Sequence, residues 1–397
     1  MKTRGKTHVL SFVLAVLLVV MLVPAAAADG GHEQAKAAAV DCLKAAAEAA
    51  CPIPTYETDD PLLSVSSYTY ENALAALALM SEGEYADAAR ILDALVTGMQ
   101  KDAEFNGEPD KDPRFRNAYM VGSPADLPGY WNNELNQWIQ DAYQVGMGTK
   151  SSCAAAVALL TYNRAIPNED YLNTALKGVN FVLDYCGDGN PGYTSGYTGW
   201  RTTGPYTDLT YKATTDNLWL ATACRMLEEA TGWDTYGEAA SSALQFVTEN
   251  MYSSGDSRFF QGTQEDGVTP VTGLVLTDVQ ALASLCLDND SGMDNMEKCL
   301  AADGGYSYDN SCTDGSWLEG TAIAALALKQ IGKEEEAEAA LTMMEGLQTP
   351  SGSFPQASIP ELKTGEKDRT INDWPSVGPC AWFILAVNGE NPFLPAD

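Results

Sequence analysis

Long stretches of this chain are apolar on nearly every side, and each is followed after a short turn by a stretch with a single apolar stripe. Tyr70 to Met80 (YENALAALALM) is almost wholly apolar, with small alanines between leucines. Gly83 breaks it, and Tyr85 to Met99 (YADAARILDALVTGM) carries one stripe at helical spacing. A helix apolar all round must be buried, whereas a one-striped helix lies against something and faces water. The unit is therefore an inner helix, a tight turn and an outer helix.

The unit repeats along the chain, and fixed-period repeats decide a fold before any single motif does. Thr149–Tyr162, Thr215–Leu227, Thr277–Cys286, Trp317–Gln330 and Gly378–Asn388 read as inner helices. Tyr171–Tyr185, Tyr236–Met251, a short piece near Met293–Ala301 and Glu334–Leu347 read as outer ones. The last inner helix has no partner after it, and the alanine-rich Glu33–Ala50 has no inner helix before it. Pairing the first helix with the last closes a ring of six hairpins. Turn residues separate the units at Gly83, Gly232 and Gly332, and strand patterns are confined to short alternating pieces in the loops. The expectation is a single all-helical domain from residue 29 to 397.

Residues 1 to 28 change the picture of where the chain works. Lys2, Arg4 and Lys6 precede an apolar run from Val9 to Val23, then Pro24 and the small residues Ala25 to Ala28. The run is shorter than the roughly 20 residues that span a bilayer, so it reads as a cleavable secretory signal. The remainder is expected outside the cell, free of the membrane and monomeric. The formal charge of −31 repels nucleic acid and anionic lipid. Nine cysteines in an exported chain permit disulfides. Cys153, Cys224, Cys286 and Cys380 fall within apolar helices and read as buried thiols, while Cys299 and Cys312 flank a short loop and are the better candidates for pairing. No C-x-x-C occurs.

Histidine supplies the firmest exclusion. The only two are His8, inside the signal, and His32, just after it and expected at a frayed end. The body of the chain thus cannot run a Ser-His-Asp or Cys-His nucleophile or a His-ligated zinc site, and no cofactor is expected. Acid-base work falls to carboxylates, Tyr, Lys or Cys. Acidic residues gather where inner helices begin: Glu71, Asp216, Asp278, Glu319 and, before the last, Asp373. Carboxylates also favour helix N-termini through capping and the macrodipole, but five at one rim would face a common space. Two long loops add aromatic and amide groups. One runs from Tyr130 to Trp138 and carries Trp131, Asn132, Glu134 and Trp138. The other runs from Tyr193 to Tyr211, with Tyr197, Trp200 and Arg201. The segment Asp288–Asp294 alternates oxygen-bearing side chains but lacks the glycine and final Glu of an EF-hand, and reads as a polar turn.

Six inner/outer pairs, the segment Trp317 to Ala322 (WLEGTA) and the ending Ala381 to Leu385 (AWFIL) with Gly389 to Phe393 (GENPF) resemble the (α/α)6 toroids of the six-hairpin glycosidase-like superfamily. The resemblance implies a rim groove that takes a poly- or oligosaccharide, and glycoside hydrolysis by paired carboxyl groups. Within it Asp216 and Glu319 are the first candidates for catalysis, with Glu71 and Asp278 behind them. Trp131, Asn132, Glu134, Trp138, Tyr197, Trp200, Arg201 and Trp317 would bind sugar. Two other readings stay open. One is a polysaccharide lyase, which must neutralise a uronate and for which Arg114, Arg116, Arg201 and Lys212 are the basic residues near the loops. The other is a toroid at the cell surface that binds glycan or protein without turnover.

Overall fold

The computed structural model describes residues 31–102 and 113–394; the expected signal segment lies outside them. From His32 onward the chain forms one compact unit. Its helices are α1 (Glu33–Ala49), α2 (Thr69–Ser81), α3 (Tyr85–Gln100), α4 (Ala142–Val145), α5 (Thr149–Ala165), α6 (Glu169–Cys186) and α7 (Thr214–Thr231). They continue with α8 (Asp234–Gln245), α9 (Thr277–Leu287), α10 (Met293–Met296), α11 (Leu318–Gln330), α12 (Glu334–Glu345) and α13 (Val377–Asn388). Around the centre, α2, α5, α7, α9, α11 and α13 each pack on the next, and α13 returns to α2. Outside them α3, α6, α8, α10, α12 and α1 each back one inner helix. This is an (α/α)6 toroid, closed by the first helix against the last.

Composition explains the two layers. Every residue of α11 from Leu318 to Leu328 is buried, and alanine and glycine let neighbouring backbones approach while leucine and isoleucine fill the remaining volume. On α12 only Ala337, Ala340, Leu341 and Met344 are buried, at the three- and four-residue spacing of one stripe. Inner helices stop on left-handed residues where the chain must turn out, as at Gly232 (φ 71°) and Gly389 (φ 70°). Ring closure is polar at that end: Asn388 Nδ2 donates to Glu82 Oε1 (2.6 Å) and Ser81 Oγ (3.0 Å), and Lys36 Nζ donates to Asn388 Oδ1 (2.8 Å).

His32 is no frayed end. It is 6% exposed, with Nε2 2.9 Å from Glu338 and Nδ1 2.8 Å from Glu345, and its ring stands edge-on to Phe383. It anchors α1 to α12 and α13. The cysteine expectation divides. Cys153, Cys224, Cys286 and Cys380 are buried thiols, but Cys299 and Cys312 are unpaired. Cys299 is enclosed and directs its thiol to the carbonyl of Val275 (3.3 Å), whereas Cys312 sits partly exposed beside Asp314. Asp288 closes α9 in the left-handed region and accepts from Gln330 (2.7 Å).

The loops hold more strand than their patterns suggest: among the described residues there are six small sheets and several single bridges. Their arrangement is regular. The first amide of each inner helix donates to a neighbouring loop: Thr69 to Asn117, Thr149 to Ser195, Thr214 to Gln261, Thr277 to Tyr308, Leu318 to Gln356 and Val377 to Thr55, over 2.8–3.3 Å. Four of these residues are threonines whose hydroxyls also bond the carbonyl one residue earlier in that loop, at Arg116, Thr194, Phe260 and Ser307. A turn's depth into the helix, Asn72, Asn217, Gln280 and Thr321 clamp the amides of Ile53, Tyr193, Phe259 and Tyr306. Loops thus stitch adjacent inner helices together all round one rim. They satisfy helix N-termini that would otherwise need side-chain caps.

Candidate active site

Because main-chain loops satisfy the inner helix ends, the acidic side chains of the first turns are released for other work. Tyr68, Ala213, Leu276 and Trp317 stand at the N-cap positions of α2, α7, α9 and α11, and none makes a side-chain cap bond. Glu71, Asp216, Asp278 and Glu319 instead line one cavity of about 510 Å³ at the centre of the stitched rim. Asp373, grouped with them on sequence, is exposed and outside that lining. The sixth inner helix contributes a glycine there. A Cβ on Gly378 would stand 2.7 Å from Glu319 Oε2, so the carboxyl rests over the first turn of α13.

Burial governs the electrostatics. Asp216, Asp278 and Glu319 are 7–8% exposed, and withdrawal from water favours the neutral acid. It pushes the Glu71 carboxyl up to about 7, helped by the charge of Glu319, and the Asp216 carboxyl up to about 6, against the Ser195 hydroxyl beside it. Asp278 and Glu319 are raised for the same first reason. The positive helix ends should pull the other way, and desolvation outweighs them.

Two cations reach into this acidic space. Lys150, second residue of α5, stands over the Tyr70 ring at 3.9 Å, and its charge opposes the upward shift of all four carboxyls. Arg369 comes from the hairpin Leu362–Lys363/Thr370–Ile371. It stacks on Tyr308 at 4.2 Å and donates to the Tyr308 hydroxyl (2.6 Å) and Glu366 (2.7 Å). Two positive charges cannot balance four carboxylates, so the cavity favours a mixture of protonated and ionised acids. Both cations act on Glu319 and on Asp278, and Tyr70 also bonds to Glu319, so these two acids are favoured to ionise over Glu71 and Asp216. Aromatic faces of Tyr56, Tyr68, Tyr70, Tyr143, Tyr211, Tyr308, Trp317 and Trp374 wall the space.

No known family profile and no curated protein matches the chain. Solved structures do. A wild-type glycosidase aligns over 91% of this chain and 99% of its own, at 12% identity and a TM-score of 0.62. An alpha-amylase from Clostridium perfringens aligns over 93% and 100%, at 12% and 0.61. A cellobiose 2-epimerase from Spirochaeta thermophila aligns over 86% and 90%, at 16% and 0.59. This chain shares the (α/α)6 toroid fold of these proteins. At such identities the likeness is one of fold, and the site must be argued from this chain's own residues.

Of the aromatic and polar residues expected to bind sugar in this toroid, Trp317 lines the cavity. The others do not. Trp131 and Trp138 face each other across a hairpin and are 52% and 48% exposed, and Asn132 and Glu134 belong to its strand and turn. Tyr197 is fully buried with Tyr185 and Tyr206 at its edges, which closes it to any ligand. Trp200 bonds Gln140, and Arg201 stacks on Tyr185 at 4.5 Å. The basic residues suggested by the loops are committed to structure. Arg116 is buried in a two-pronged pair with Asp102 (2.6 Å), Arg114 is fully enclosed, and Lys212 bonds Asp188 (2.8 Å). Lys150 and Arg369, which the pattern did not single out, are the cations of the cavity.

Proposed function

We propose that this protein is an exported glycoside hydrolase whose catalytic groups are carboxyls of the inner rim. The observation that carries the reading is the cavity itself: three enclosed acids, the half-buried Glu71, two cations and an aromatic wall. Glycoside hydrolysis requires one protonated carboxyl to assist the leaving oxygen and one ionised carboxyl acting on water or on the sugar. Glu71, held protonated to about pH 7, suits the first task. Glu319, with its phenol partner and two nearby cations, suits the second. Each lies within the electrostatic reach of the other. This shifts the first choice of acid from Asp216 to Glu71, with Asp216 (about 6) next. The aromatic walls offer stacking faces for the apolar sides of sugar rings. The basic, apolar and small-residue segment at residues 1–28 supports export, and among the described residues no helix is long and apolar enough to cross a membrane.

Lyase chemistry fits less well. A phenol stands beside each cation, but burial drives both Tyr70 and Tyr308 far up, which makes them poor bases at neutral pH. The test is a panel of poly- and oligosaccharides, scored separately for new reducing ends and for unsaturated products. Reducing ends from the parent, lost in both Glu71→Gln and Glu319→Gln, are expected. Turnover that survives both substitutions, unsaturated products, or binding without turnover would each sink the hydrolase assignment.

A further inference from the structure

Beside the main cavity lies a second lobe of about 420 Å³, which shares Tyr211, Thr215, Asp278, Tyr308 and Arg369 with it. These five form a neck between the two spaces. Beyond the neck the wall offers the amides of Gln261 and Gln264 beside the carboxylates of Glu265 and Glu366 and the apolar Leu276 and Val279. Both lobes fall within the size range of pre-formed ligand sites.

Asp278 sits at the neck and is 92% buried by its 8% exposure, yet its Oδ1 has no hydrogen-bond partner among the described residues. An enclosed carboxylate oxygen left unsatisfied carries a desolvation cost that a ligand donor would offset. Arg369, which lines the same neck, is held in place by Tyr308 and Glu366. We propose that the side lobe is a second sugar subsite, in which Asp278 accepts a hydroxyl of the neighbouring residue of a neutral oligosaccharide. Asp278 then recognises substrate and is not one of the pair that breaks the bond. Neutral amides on the far wall hydrogen-bond uncharged hydroxyls, and a negatively charged unit would have to pass Asp278 and face Glu366 and Glu265.

The inference rests on the saccharide reading above, and calorimetry on the full-length protein carrying Glu319→Gln tests the two separately. That variant is the parent of this series, so that the disaccharide is not cleaved during titration. The probes are the disaccharide that the panel selects and the monosaccharide from which it is built. The disaccharide is expected to bind at least about tenfold more tightly than the monosaccharide, as one charge-assisted hydroxyl bond would give. Asp278→Asn should remove most of that ratio. Gln261→Ala, at a partly exposed position of the side lobe alone, should reduce it while leaving monosaccharide affinity within about twofold. A disaccharide that gains nothing in the parent, or a ratio unchanged in both variants, overturns the subsite while the hydrolase reading stands. A panel that selects no saccharide overturns both.

Discussion

Glu319 and Glu334 both open a helix in the same hairpin, and they live in different solvents. Glu319 starts inner helix α11, is 7% exposed and is pushed up by burial. Glu334 starts outer helix α12 with Glu335 and Glu336, all of them exposed. On α12 the first-turn carboxylates complement the helix dipole and are hydrated. On the inner ring neighbouring loops already satisfy the helix end, and the acid is turned into a shared, poorly hydrated space. Position within a helix is thus not what distinguishes a functional acid here. In the α11/α12 hairpin the ring to which the helix belongs does.

The comparison breaks most visibly in catalysis. Glu71→Gln and Glu319→Gln should each lower kcat by about 10²- to 10⁴-fold on the selected glycan, the usual weight of a general acid or base. Glu334→Gln and Glu335→Gln should leave kcat unchanged, and equal losses in both rings would remove the distinction. Lys150→Met should have the next largest effect. Because the lysine holds all four carboxyls down, its loss raises them further, and the acid limb of the pH–rate profile should move up by roughly one pH unit. An unmoved limb would mean that Lys150 is not felt at the reacting groups.

Stability offers a smaller test with a definite sign. Burial raises Glu71 from 4.5 to about 7, so between those values the native state keeps a proton that the unfolded chain has released. The stability gained by keeping this acid neutral is full below about pH 4.5 and is lost as the pH rises through about 7. Glu71→Gln should therefore match the parent at pH 4 and exceed it at pH 8 by about 1–3 kcal/mol in denaturant unfolding. A variant that is less stable at pH 8 would contradict the burial cost. The smallest effect lies on the outside. His32→Ala should cost about 1 kcal/mol at constant kcat, since Glu338 is half exposed and its pairing with His32 is partly screened.

The hairpins were legible because alanine-rich, all-round apolar runs alternate with single stripes, a pattern that every ring helix except the four-residue α10 carries within its own 11 to 18 residues. The acids were visible as first-turn carboxylates, since inner and outer runs could be told apart. What stayed hidden depends on distance along the chain or on direction. The stitching of Thr214 to Gln261, or of Thr69 to Asn117, joins segments nearly fifty residues apart. Arg369 reaches the cavity from the turn of a hairpin between α12 and α13, a connection outside the helical repeat. Lys150 stands where a solvated helix start would be read. The tryptophans at 131 and 138 have the composition of a sugar platform, but composition does not say which way a hairpin faces. His32 looked terminal because its carboxylate partners lie some 300 residues later.

The most direct test of the two-ring account is a carbon-13 NMR titration of side-chain carboxyls in the substrate-free protein labelled at glutamate. One glutamate should titrate near pH 7 and vanish from the spectrum in Glu71→Gln. A set in which every glutamate titrates near 4.3 would mean that the inner rim is as wet as the outer one, and would contradict the account.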